Sequence, residues 1–227
     1  MIAAAIASAA CAMAVGLLVG AERRGDRRGR FVWKPIASAA FLAVPLVGGA
    51  LAGDVDRTLA GWVIAGLVLG AIGDVALMFD DDRGFLAGLG AFLAGHVAYV
   101  VALARVTPVD HWLTGAMRLA APAVVVASLA VLAYLWRRLG SMKIPVIAYV
   151  AVISAMLVGG LAATIVDHGG AAATGRHLLT ASAALFYASD LAVAREKFVG
   201  SDPWNRTVGL PVYYAAQLGF GWALIAA

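Results

Sequence analysis

Asp74 and Asp190 stand out because what precedes each of them is apolar or small. Asp74 follows Leu69-Gly70-Ala71-Ile72-Gly73 and Asp190 follows Leu185-Phe186-Tyr187-Ala188-Ser189, each within a run long enough to cross a bilayer. A carboxylate inside hydrocarbon costs about 2–3 kcal/mol or more, so such residues face a bundle interior or a wet cavity and usually act there. Two carboxyl groups in a water-poor site can divide acid/base work. One keeps a proton to give, while the other is ionised and accepts a proton or steadies developing positive charge. The plainer reading is that each aspartate bonds a Ser, Tyr or Arg and only fixes helix register. Two of them at one depth weigh against it.

The elements that must position this pair follow from composition. The chain has 227 residues, 63% hydrophobic and only 13% charged. Soluble domains are about 45–50% apolar and about 25% charged, so lipid must be the solvent for much of this surface. A spanning helix needs roughly 20 mostly apolar residues. Eight runs qualify, at about 2–21, 35–53, 58–79, 84–104, 119–136, 144–166, 178–194 and 207–227. They are continuously apolar, without the alternation of lipid-facing strands. The fold expected is an all-α polytopic membrane bundle forming a single transmembrane domain over 1–227. The lone cysteine, Cys11, excludes an intrachain disulfide.

Orientation follows from the loop charges. Connections 1–2, 3–4, 5–6 and 7–8 carry 13 of the 17 Lys and Arg residues, and the other connections carry 4. The positive-inside rule then puts the odd-numbered connections in the cytoplasm and both termini outside, as in a bacterial inner-membrane protein. The first run has no basic residue before it and Arg23, Arg24, Arg27, Arg28, Arg30 and Lys34 after it, the reverse of a signal peptide, so it reads as a retained helix. Asp74 and Asp190 then lie about 8–9 Å inside the cytoplasmic boundary.

The halves also echo each other. Lys34-Pro35 and Leu46-Val47-Gly48-Gly49 match Lys143-Ile144-Pro145 and Leu157-Val158-Gly159-Gly160, while Gly73-Asp74 matches Ser189-Asp190. A shift of four helices preserves direction, so this would be a parallel repeat of four plus four, bringing the aspartates to equivalent places. Chance in an Ala/Gly/Val-rich chain is the alternative.

Other polar groups fall at the same level. Glu22 ends helix 1, Lys34 opens helix 2, and Lys143 and Tyr149 open helix 6. Tyr213, Tyr214 and Gln217 lie in the cytoplasmic half of helix 8, with Tyr213 and Gln217 on one face. His96 sits near mid-membrane on helix 4, with Tyr99 three residues on. Singly, Tyr and Lys near helix ends are common interfacial anchors. Together they outline a polar cavity open to the cytoplasmic leaflet.

Several features carry no chemistry on this reading. Asp80, Asp81 and Asp82 form a solvated turn, and Asp54 and Asp56 cap helix 3. His111, Asp167, His168 and His177 lie at the outer face without metal-ligand spacing, so no metal is expected. Gly16/Gly20, Gly66/Gly70 and Gly84/Gly88 read as close-packing pairs. The serine-hydrolase, zinc-protease and phosphate-loop motifs are absent.

The ordered set of motifs resembles the YhhN-like family, the eight-helix lysoplasmalogenases. The matching pieces are Lys34-Pro35, Leu69-Gly70-Ala71-Ile72-Gly73-Asp74, Gly88-Leu89-Gly90-Ala91-Phe92-Leu93-Ala94-Gly95-His96 with Tyr99, Pro145 with Tyr149, Ala184-Leu185-Phe186 with Ser189-Asp190, and Tyr213-Tyr214-Ala215-Ala216-Gln217. They cover nearly the whole chain; Lys143-Ile144-Pro145 fits only loosely. The resemblance implies hydrolysis of the vinyl ether of lysoplasmalogen to a fatty aldehyde and a glycerophospho-alcohol, with no cofactor.

The residues suit that chemistry. Protonating the outer vinyl carbon gives an oxocarbenium ion, water adds, and the hemiacetal collapses. Asp74 and Asp190 are the catalytic candidates, and Glu22, Lys34, His96, Tyr99, Tyr149, Tyr213, Tyr214 and Gln217 the substrate-binding ones. A lysophospholipid would run its chain down the bundle, with its phosphate at Lys34, Arg23 or Arg24. Membrane lipids and a homo-oligomer are the other partners considered, and no nucleic acid. The rivals are a proton-coupled small-molecule or lipid transporter, which needs a polar route to the outer face, and a lipid-binding scaffold, which would tolerate loss of both charges.

Overall fold

A segment in lipid has no water to satisfy its backbone, so its N–H and C=O groups must bond within it. The computed structural model describes residues 1–51, 56–79, 81–167, 173–200 and 205–226. Among these, eight helices are long and apolar enough to cross a membrane, and there is no strand. They are α1 (Ile2–Arg24), α2 (Arg27–Val47), α3 (Arg57–Ala76), α4 (Asp82–Val106), α5 (Met117–Leu135), α6 (Lys143–Ile165), α7 (Ala173–Phe198) and α8 (Leu210–Ile225). A 3-10 turn at Val109–Leu113 follows α4, and a π turn at Asn205–Gly209 precedes α8.

The ends differ from the apolar runs where capping outweighs hydropathy. α2 starts at Arg27 and not near residue 35, because the Asp26 carboxylate accepts the Gly29 amide at 3.0 Å. Pro35 therefore sits inside the helix, and Arg27, Arg28, Arg30 and Lys34 belong to its first turns and not to a loop. α7 runs on to Phe198, carrying Arg195, Glu196 and Lys197 on rigid helix. Asp56 caps α3 by accepting the Thr58 amide at 2.8 Å, a bond that holds its carboxyl below the usual range. Asp81 caps α4 through the Gly84 amide at 2.6 Å. Asp54, Asp80 and His168 lie outside the described residues.

α1 packs on α2 and α8, α3 on α4, α5 on α6, and α7 on both α6 and α8. α2 meets α8 as α6 meets α4, and α2 meets α3 as α6 meets α7. One core cluster joins Leu18, Phe41, Leu67, Leu103, Met156, Phe186 and Phe220. Large apolar side chains such as Ile6, Met13, Leu119, Val126 and Ile144 point outward, the face lipid covers.

Gly66 of α3 lies against the Tyr99 ring of α4. A Cβ there would lie 2.5 Å from the Tyr99 ring, which is itself stacked on Phe220 at a centroid distance of 4.0 Å and cannot swing aside. Gly16 has nothing within 4 Å, and only Arg24 of its own helix lies near Gly20, so that pair faces outward and is not a packing stripe. Gly66→Ala is expected to destabilise by about 1–3 kcal/mol and Gly16→Ala to be near neutral, as read from thermal unfolding in detergent. Equal melting of the two variants would contradict this packing.

Candidate active site

Asp74 lies in the last turn of α3, 2% exposed, and its partners come from two other helices. From α2, the Ser38 hydroxyl donates to Oδ2 at 2.7 Å and the Lys34 ammonium stands 3.6 Å from Oδ1. From α8, the Tyr213 hydroxyl donates to Oδ2 at 2.9 Å. Behind Tyr213 runs a relay, in which Tyr99 donates to Gln217 Oε1 at 2.6 Å and Gln217 Nε2 donates to the Tyr213 oxygen at 3.0 Å.

Asp190 is held differently. The Tyr149 hydroxyl of α6 donates to its Oδ2 at 2.6 Å, and His96 Nε2 of α4 stands 3.5 Å from the same oxygen. His96 Nδ1 is 2.7 Å from the Phe92 carbonyl oxygen, which can only accept, so Nδ1 carries the ring hydrogen. The imidazole packs edge-on to Phe186 at 4.5 Å and to Tyr149 at 5.2 Å. The Asp190 side chain is 15% exposed, against 3% for Asp74.

Both aspartates line one cavity of about 530 Å³. Lys34, Tyr149, Ser189 and Tyr213 stand with them, and Phe92, Leu135, Val146, Val150 and Ile153 are among the residues that make it apolar. Its rim is charged with both signs. Arg206 pairs with Glu22 at 3.1 Å and with Glu196, and Lys197 stands 3.6 Å from Asp82. A mostly apolar lining beside charges of both signs suits an amphiphilic ligand. Among the described residues no His, Cys, Asp and Glu group could hold a metal ion.

Of the residues expected from sequence, Asp74, Asp190, Glu22, Lys34, Tyr149 and Tyr213 line the cavity. His96, Tyr99, Tyr214 and Gln217 are buried behind its wall and reach it through other side chains. Tyr214 hydrogen-bonds the Lys34 carbonyl at 3.5 Å and packs on Phe41. Arg23 donates to Thr207 at 3.3 Å, and neither it nor Arg24 lines the cavity; the rim cations are Arg30, Lys197 and Arg206. Lys143 lies over the Trp136 ring at 4.8 Å, which accounts for its place outside the site.

Ser38, Ser128, Tyr187 and Arg206 are among the polar residues at the site that were not sequence candidates. Ser38 had a signal, being one helical turn from Lys34. Arg206 had none, since only the fold brings the start of α8 against α1 and α7.

The profile of the YhhN family matches residues 29–224. The chain belongs to the YhhN family. Relatives agree with it. The chain is 34% identical over 159 residues to lysoplasmalogenase TMEM86B of Mus musculus, covering 69% of this chain and 61% of that protein. It is 32% identical over 158 residues to lysoplasmalogenase TMEM86A of Bos taurus, covering 69% and 62%. It is 30% identical over 183 residues to the lysoplasmalogenase of Mycobacterium tuberculosis (strain CDC 1551 / Oshkosh), covering 79% and 64%. The chain thus spans under two thirds of the length of these YhhN relatives. No solved structure matches it.

Proposed function

We propose that this YhhN protein is a lysoplasmalogenase-like hydrolase that cleaves the vinyl ether of a lysophospholipid to a fatty aldehyde and a glycerophospho-alcohol. The observation that carries the reading is that two carboxyl groups with separate partner sets face one apolar cavity with a charged rim. The lysoplasmalogenase names of the relatives point the same way. The alkyl chain lies along the apolar lining, the vinyl ether meets Asp74 and Asp190, and the head group meets Arg206, Glu22 and Lys197.

The reading includes a topology. The cavity is built from the end of α1, the starts of α2, α4, α6 and α8, and the later parts of α3, α5 and α7. These are the ends that the charge bias places toward the cytoplasmic leaflet of a bacterial inner membrane, with both termini outside. It also includes the parallel repeat. Asp74 is held by α2 and α8, and Asp190 by the corresponding α6 and α4. Asp74 to Asp190 and His96 to Tyr213 are nearly equal steps along the chain, and at that step Lys34 corresponds to Tyr149 and not to Lys143, its match by motif.

A transporter would need a polar route to the opposite face. There the Trp112 ring packs where a Cβ on Gly159 would lie, 2.7 Å away, over the buried Leu103 and Met156. The deciding experiment gives purified protein lysoplasmalogen and, separately, its saturated ether analogue. Aldehyde from the first and none from the second is expected, because only a vinyl ether forms an oxocarbenium ion on protonation at carbon. No aldehyde from either defeats the reading.

A further inference from the structure

We infer that the two aspartates divide their roles in one direction: Asp190, set by Tyr149 and His96, carries the proton given to the substrate, and Asp74 is the ionised partner. The chemistry rests on the vinyl ether reading; the direction rests on which hydrogens the surrounding groups have left to give.

Around Asp74 the neighbours supply positive charge or a hydrogen; the Ser38 hydroxyl, also 3.1 Å from the Lys34 carbonyl, is closer to Oδ2 at 2.7 Å. Lys34 is 7% exposed, and its ammonium stands 3.6 Å from Oδ1. Burying that cation without a counter-ion is costly, and Asp74 is the carboxylate that meets it. With Asp74 ionised, Tyr213 must point its hydrogen at Oδ2, so its oxygen is open to Gln217 Nε2, and Gln217 Oε1 is open to Tyr99. One charge orders the whole relay.

Around Asp190 the hydrogens are already spent. The His96 ring hydrogen is on Nδ1, committed to the Phe92 carbonyl, so Nε2 presents a lone pair to Asp190 Oδ2. The Ser189 hydroxyl donates to the Phe186 carbonyl at 2.9 Å, so it too turns a lone pair toward Asp190 Oδ1, 3.5 Å away. Tyr149 gives the one remaining hydrogen. Two lone pairs facing a carboxyl call for a proton on it. No Lys or Arg stands within ion-pair distance of Asp190 among the described residues.

The cycle then closes. The Asp190 proton goes to the outer vinyl carbon as the C=C electron pair forms the C–H bond, and the ether oxygen donates a lone pair to give the oxocarbenium ion. Water adds to the oxygen-bearing carbon of that ion and passes a proton to Asp74. In the hemiacetal, protonated Asp74 returns its proton to the glyceryl oxygen as the C–O bond breaks. Asp190 takes the hemiacetal hydroxyl proton as the aldehyde C=O forms. Both aspartates end as they began.

The test is infrared spectroscopy of the purified full-length protein at neutral pH, reading the C=O stretch of a protonated carboxyl. Wild type is expected to show the band, Asp190→Asn to lose it, and Asp74→Asn to keep it. Loss in Asp74→Asn instead, or no band in wild type, overturns the assignment. Should Asp190→Asn fail to fold, the tyrosines decide. Tyr149→Phe removes a donor to Asp190 and is expected to shift the band, whereas Tyr213→Phe leaves it in place; the reverse pattern overturns the assignment.

Gln217→Leu checks the relay as a positioning device. It should leave the band unmoved and lower kcat about tenfold, what one lost hydrogen bond of ordinary strength supports, with KM unchanged. A changed KM with kcat intact counts against it. The band is read without substrate, so protein that shows it but releases no aldehyde refutes the vinyl ether reading and not the placement of the proton.

Discussion

Asp190→Asn and Asp74→Asn are each expected to lower vinyl ether turnover by about 10²–10⁴-fold, the range typical of losing one acid or base group. Asparagine keeps the size and most hydrogen bonds of each site, so Tyr149 still has an acceptor at position 190, and Ser38 and Tyr213 still have one at position 74. On the proposed assignment, what is removed is the exchangeable proton in one case and the negative charge in the other. The measurement is aldehyde release at saturating lysoplasmalogen, beside circular dichroism and gel filtration to establish that each variant is folded. A folded variant of either kind that turns over near the wild-type rate would remove the aspartates from the chemistry.

Lys34→Met should be the most damaging single change to stability within the site. It leaves the Asp74 charge buried beside two hydroxyls but without its counter-ion, a loss of about 3–5 kcal/mol where a buried pair is broken on one side. The double variant Lys34→Met/Asp74→Asn should recover most of that loss, because neither charge is then buried alone. Thermal unfolding of both single variants and the double closes the cycle that measures the pairing. If the double is no more stable than Lys34→Met alone, the loss does not come from an unpaired charge on Asp74. The double is also expected to be inactive, which separates stability from turnover.

The spans and the aspartates were legible in the sequence because lipid imposes a strong rule: long apolar runs become helices, and a carboxyl within one requires a partner. Lys34, Tyr149 and Tyr213 were legible for the same reason, as polar groups at one depth. Helix ends were less so. Hydropathy places the start of α2 near Pro35, but the cap at Asp26 carries the helix back through the basic residues, which are polar yet at home in a helix at the interface. The Gly16/Gly20 spacing fits a packing stripe, and only the placement of α1 leaves Gly16 in open space.

For Asp74 and Asp190 themselves, sequence determined their type, their two host helices and, through the charge bias of the connections, the end of the bundle to which they belong. These are local properties, set by composition and by the cost of charge in hydrocarbon. The tertiary structure decided the rest. α3 ends at Ala76, just past Asp74, whereas α7 continues about two turns beyond Asp190, so element ends alone do not align the pair. A shared cavity does. Their difference is likewise non-local. Lys34, Ser38 and Tyr213 surround one carboxyl with charge and hydrogens, while His96 turns a spent donor toward the other. Two identical side chains in similar runs become unlike because hydrogen-bond donors reach them from other helices, and that distribution exists only once the bundle has closed.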